Sequence, residues 1–359
     1  MSSLQENFEI IINALNLASL PAHIQVVCDL KLISLLLGLQ TATSKHDCPF
    51  CDSFRDKDED TNITTKGKYK EVDDSEIVMR TWKNIEINND AYILEGKDNR
   101  KKLKNFKNCE FKPIKLKNIK NIDEEVIFTL PPEPLHTNLL GPGNDCLEAM
   151  EEIFQSEMKV IYKKYSLKKS GDGPGGKFNG PKVKLLISEE VLKTIESLLP
   201  PEGSAFISYL RAIREIHRVC ITSNFNELDW KTAMFHFEEN FYFLYNMYNL
   251  SMTIKVHIIL HHYPFYFTKM GKNFKDTNGE FGETCHSTIK RFEKLKGYIR
   301  NRNLSSDNAL KTAHKSHSNF IALKMGSPSR SLAIRSPRSS PSSSPVRSRD
   351  QYLPVQKSF

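Results

Sequence analysis

Of the seven cysteines in the chain, only Cys48 and Cys51 have informative spacing, as the CxxC pair of the run HDCPFCD. Two thiolates so placed can take adjacent corners of a zinc tetrahedron, but a structural zinc needs four ligands. His46, Cys109, His136 and His286 are candidates to complete the set. The competing reading is a reduced pair buried for packing. Thioredoxin-type redox chemistry would need the motif at the start of a helix opening a βαβ unit, and nothing after CPFC reads as that helix. His257, His261 and His262 follow far downstream, with His257 and His261 four apart on a helical face, the spacing of zinc peptidases. Ile258 stands where such an enzyme carries its general-base glutamate, so packed or capping histidines are the better reading.

Asp29 directly follows AHIQVVC, a short β-branched run that reads as a buried strand. A carboxylate at a strand end can be held rigidly and still reach solvent, as a magnesium ligand must. It can equally be the N-cap of the Leu-rich helix that follows, which stops at Gly38. A second kind of chemistry is charge. The formal net charge is +8, which suits a polyanion. Lys101, Lys102, Lys104, Lys107, Lys112, Lys115, Lys117 and Lys120 alternate with Leu103, Phe106, Phe111 and Leu116. Such a stretch can grip a phosphate backbone without reading sequence, or simply form a solvated face. Lys168 and Lys169 belong to a further basic stretch from 163 to 184.

The elements that must position these groups change character along the chain. Residues 52 to 76 are acidic and read as an exposed connection, whereas VIFTL at 126 to 130, closed by Pro131 and Pro132, reads as a strand. From 147 onward, apolar residues recur at helical spacing, with helices expected at 188 to 199, 205 to 220 and 229 to 249. Beyond 326 the chain is rich in Ser, Pro and Arg and predicts a disordered tail. No uncharged apolar run is long enough to span a membrane, and MSSLQENFEI lacks the features of a secretion signal, so an intracellular protein is expected.

The run from Asp29 through Gly38 to Cys48 and Cys51 resembles the second-aspartate segment of eukaryotic cut-and-paste transposases, especially the CACTA-like group and related element-derived proteins. Residues 252 to 286, MTIKVHIILHHYPFYFTKMGKNFKDTNGEFGETCH, resemble the segment bearing the last glutamate of their Asp, Asp, Glu triad. The resemblance implies an RNase H-like α/β core, here partial, in residues 1 to 146, a helical insertion at 147 to 250 and the rest of the core at 251 to 325. It also implies two-metal DNA cleavage and strand transfer with Mg²⁺ or Mn²⁺, Asp29 and Glu283 as ligands and Glu280 as the fallback. DNA becomes the expected partner, the nucleus the expected compartment and a homo-oligomer a candidate assembly. In the family a Cys or Asp precedes a His by three residues inside the insertion; Glu133 and His136 are the nearest equivalent, which adds His136 to Cys48 and Cys51 as a metal candidate. Before Asp29 the only acidic residues are Glu6 and Glu9, so the first triad aspartate has no counterpart and strand transfer by this chain alone is not expected. The rival reading is a non-catalytic nucleic-acid-binding or scaffolding protein, with or without structural zinc.

Overall fold

In a computed structural model of the chain, the residues described are 29–40, 46–53, 77–95, 100–113, 119, 121–169 and 176–277. The strand expected before Asp29, Glu280, Glu283, His286 and the tail from 326 onward lie outside them. All described residues belong to one unit, Met1–Thr284.

These residues do not form the expected RNase H-like α/β core. They are mainly α-helical, 68% of them in helix and none in a strand or sheet. The VIFTL run shows why. A short apolar run cannot by itself separate a strand from a buried helical turn. Here one bridge, Thr81 to Glu125, is all the pairing it receives before Val126–Thr129 coils. The Trp82 indole N–H then donates to Thr129 Oγ1 at 2.9 Å, and that hydroxyl in turn donates to Val126 O at 3.0 Å. Val126 and Ile127 are fully buried against the helices instead of alternating across a sheet.

In chain order the α-helices are α1 (Leu30–Leu36), α2 (Trp82–Leu94), α3 (Val126–Thr129), α4 (Asn144–Ile153), α5 (Gln155–Lys164), α6 (Gly180–Leu186), α7 (Glu189–Leu198), α8 (Ser204–Ile221), α9 (Glu227–Tyr248), α10 (Ile254–His257) and α11 (Tyr263–Met270). A 3₁₀ segment, Arg100–Phe106, precedes α3, and two π-helical segments, Leu135–Gly143 and Ile258–His262, precede α4 and α11. The helices expected near 188, 205 and 229 are α7, α8 and α9. None of the helices among the described residues is long and apolar enough to cross a membrane.

The centre of the fold is the hairpin of α8 and α9. Helix α8 buries Phe206, Tyr209, Leu210, Ile213, Ile216 and Cys220, a face too broad for one neighbour. Phe206 meets Tyr248, and Tyr209 meets Phe237 and Phe241, so the two helices run antiparallel. Asn226 caps α9 by accepting the Asp229 N–H at 2.8 Å, and Asn249, with a left-handed φ of 54°, ends it. The π segment Leu135–Gly143 lies against α8, and its Asn138 ties together three elements. Its Oδ1 accepts the Tyr263 hydroxyl at 2.8 Å, while its Nδ2 lies 3.5 Å from Cys220 Sγ. That bond fixes the start of α11 immediately after His262.

Candidate metal centre

The CPFC turn is built by its own backbone. The Phe50 N–H donates to Cys48 Sγ at 3.4 Å, and Phe50 itself is fully buried. A bridge between Cys51 and Met79 follows, with Asp52 N–H to Val78 O at 3.0 Å and Arg80 N–H to Phe50 O at 2.8 Å. These bonds set the turn on the 77–80 segment with both thiols facing inward; neither is accessible to solvent.

The facing element is the turn between α10 and α11. Thr253 caps α10 and directs it inward. At Ile258–His262 the chain adopts a π turn, closed by Tyr263 N–H to Ile258 O. A π turn pairs residues five apart, so His257 and His262 come to one side, where an α-helix would have aligned His257 with His261. His257 Nε2 lies 3.3 Å from Cys51 Sγ, and His262 Nε2 lies 3.2 Å from Cys48 Sγ. The His262 ring stands edge-on to Phe50, with centroids 5.9 Å apart, and its Nδ1 is buried with no hydrogen-bond partner. The ring's polar contact therefore runs through Nε2 alone.

All four residues are buried, and one ligand atom from each lies within 4.8 Å of the others. Zn–S bonds of about 2.3 Å and Zn–N bonds of about 2.0–2.1 Å make the S···N edge of a zinc tetrahedron roughly 3.5 Å. The observed contacts are close to that edge, so the residues fit the group: the cluster can hold a metal ion such as zinc. Protonation at His257 favours this too. Burial holds the His257 imidazole down to about 4, leaving it neutral with a lone pair at physiological pH. Burial pushes the Cys48 thiol well above its usual range. Burial also acts upward on Cys51, but hydrogen bonding from Cys48 and the interactions with His262 and His257 outweigh it and leave this thiol well below its usual range.

The other sequence candidates lie elsewhere or cannot be located. His46 Nδ1 points to Asp52 O at 2.8 Å and Ser53 O at 3.2 Å, binding the loop around the cysteines rather than joining them. Cys109 sits beside the Arg80 guanidinium. His136 Nδ1 lies 2.6 Å from Glu133 Oε2, and Glu133, almost wholly buried, also accepts the Leu135 and His136 N–H groups. Asp29 is the N-cap of α1, its Oδ1 accepting the Leu32 N–H at 2.8 Å. Lys104 and Lys168 are exposed, Lys107 is ion-paired with Asp52, and Lys169 with Glu151. The side chains of Lys101 and Lys102, and all of Lys115 and Lys117, lie outside the described residues.

His257 and His262 are therefore the residues that could complete a set with Cys48 and Cys51, and the sequence carries a signal for the pair: the H-x₃₋₅-H spacing of zinc sites accommodates HIILHH when the first and last histidines are taken. No protein-family model and no curated protein matches the chain.

Proposed function

We propose that this chain is a zinc-stapled, DNA-binding protein of transposase descent. One observation carries the reading. The two segments on which the resemblance rests, the one running from Asp29 to Cys51 and the one around His257 and His262, are the two that meet in the four-residue cluster. A closed Cys₂His₂ set has no open coordination position, so zinc here contributes folding energy and no chemistry of its own. Its work is to hold the CPFC segment and the α10–α11 turn together. Asp29 lies upstream of the first ligand pair, and Glu283 lies downstream of the second. In this reading those two carboxylates hold Mg²⁺ or Mn²⁺, the exposed lysines Lys104 and Lys168 meet phosphates, and the protein works on chromosomal or element DNA in the nucleus.

Metal analysis of the purified chain tests the first part: close to one zinc per chain is expected, and less than about 0.2 overturns it. A DNA-binding and cleavage assay with Mg²⁺ or Mn²⁺ tests the second. Cleavage abolished by Glu283→Gln marks an active enzyme, binding without cleavage marks a scaffold, and no DNA binding overturns the reading.

A further inference from the structure

Arg80 is a buried cation, 2% exposed, and among the described residues no carboxylate pairs with it. Its guanidinium is spent on main-chain carbonyls. Nε donates to Cys48 O at 3.0 Å and to Cys51 O at 2.7 Å, and Nη2 donates to Lys107 O at 3.0 Å. Nη1 lies 3.8 Å from Cys109 Sγ. The backbone of Arg80 is fixed on both edges, by its N–H to Phe50 O at 2.8 Å and by Val126 N–H to its carbonyl at 2.9 Å.

Burying an unpaired guanidinium is strongly unfavourable unless its N–H groups are satisfied. Here they are satisfied only when the CPFC turn is already curled. One nitrogen binds the carbonyls of both cysteines, so it sets the distance between the two ends of the turn that present the thiols. The third carbonyl is specially aimed. Lys107 and Asn108 both adopt left-handed φ values, 52° and 62°, a conformation that is unfavourable for a side chain such as lysine. That paired strain turns the chain back at the point where Lys107 O meets the guanidinium.

We infer that Arg80 is a positioning residue for the metal centre, shaping the Cys48–Cys51 turn into its ligand geometry before the ion arrives. The inference rests on the zinc reading above. Lysine would keep the charge but has no planar fork with which to span three carbonyls. Outer-shell partners of metal ligands typically contribute 10–100-fold in metal affinity, and Arg80 belongs in that range.

The test uses full-length wild type, Arg80→Lys and Arg80→Gln, with Co²⁺ as the probe and its visible tetrahedral bands as the readout. Zinc release to a chromophoric chelator is measured alongside. Expected is one Co²⁺ per wild-type chain, an affinity lower by about 10–100-fold in both variants and faster zinc release. The zinc-induced rise in melting temperature should also shrink, whereas a merely structural arginine would lower the metal-free and metal-bound melts equally. Should the glutamine variant fail to fold, the lysine variant decides. Wild-type Co²⁺ binding with unchanged affinity in the variants overturns the Arg80 assignment alone; a wild type that binds no Co²⁺ overturns the metal centre and the assignment with it.

Discussion

His262 presents its Nε2 to Cys48 Sγ at 3.2 Å although 214 residues separate them in sequence. A metal at that contact closes the loop that contains α2 through α10. The stability it adds is the free energy of ligand binding to the native state alone, about 4 kcal/mol at a thousandfold excess over Kd. Cys48→Ser, Cys51→Ser, His257→Ala and His262→Ala are each expected to lose bound zinc and to melt roughly 10 °C lower, taking 2–4 °C per kcal/mol for a domain of this size. Chelation of the wild type should reproduce that shift. Differential scanning fluorimetry with parallel metal analysis measures both.

The π turn makes a sharper prediction. The His261 ring lies 4.8 Å from His257 as an ordinary helix would place it, but the π turn brings His262 beside His257 as well, and it is His262 that reaches Cys48. His261→Ala should therefore retain a full complement of zinc while His262→Ala should not. Equal loss from the two variants would remove the π turn from the site.

How much of this was legible in the sequence divides by physical cause. The helices α7, α8 and α9 were readable because their buried residues recur at the period of one face, as in Val191, Leu192 and Ile195. The cysteine pair was readable because it is local. The approach of His257 and His262 to the cysteines was not legible, because an α-helical period pairs His257 with His261 and cannot reveal its own interruption by a π turn. VIFTL was misread because strand and buried turn demand the same residue types; tertiary contacts of Val126 and Ile127 decided between them. The fold class failed with that choice, and the strand before Asp29 lies outside the described residues.

The antiparallel packing of α8 and α9 should dominate stability. Phe241 is fully buried and stacks near Tyr209 and Phe237. Phe241→Ala removes that burial and leaves a cavity, for an expected loss of about 3–5 kcal/mol in urea unfolding. Phe235 lies on the same helix but is 61% exposed, and Phe235→Ala should stay within about 0.5 kcal/mol of wild type.

Two glycines with left-handed backbone separate conformational from steric cost. Gly38, φ 67°, ends α1, and a Cβ there would lie 2.0 Å from Phe111 O. Gly271, φ 60°, ends α11 with nothing within 4 Å of the corresponding position. Gly271→Ala should cost about 1–2 kcal/mol, the left-handed penalty alone. Gly38→Ala adds a collision with backbone that cannot rotate away, and should cost more than about 3 kcal/mol. Similar costs at both sites would mean that the chain around Phe111 yields easily.

Asp29 caps α1, and the proposed function would give it a second role as a metal ligand; one substitution can separate the two. As the cap of α1 its Oδ1 accepts the Leu32 N–H, and asparagine performs that task about as well, while alanine loses roughly 1 kcal/mol. As a ligand for Mg²⁺ or Mn²⁺ it must be an anion, which asparagine is not. Asp29→Asn is therefore expected to melt like the wild type and Asp29→Ala a few degrees lower, while any Mn²⁺-dependent DNA cleavage disappears in both. Cleavage that survives in Asp29→Asn would leave this residue with its capping role only, and the carboxylates serving the metals would have to be sought elsewhere in the chain.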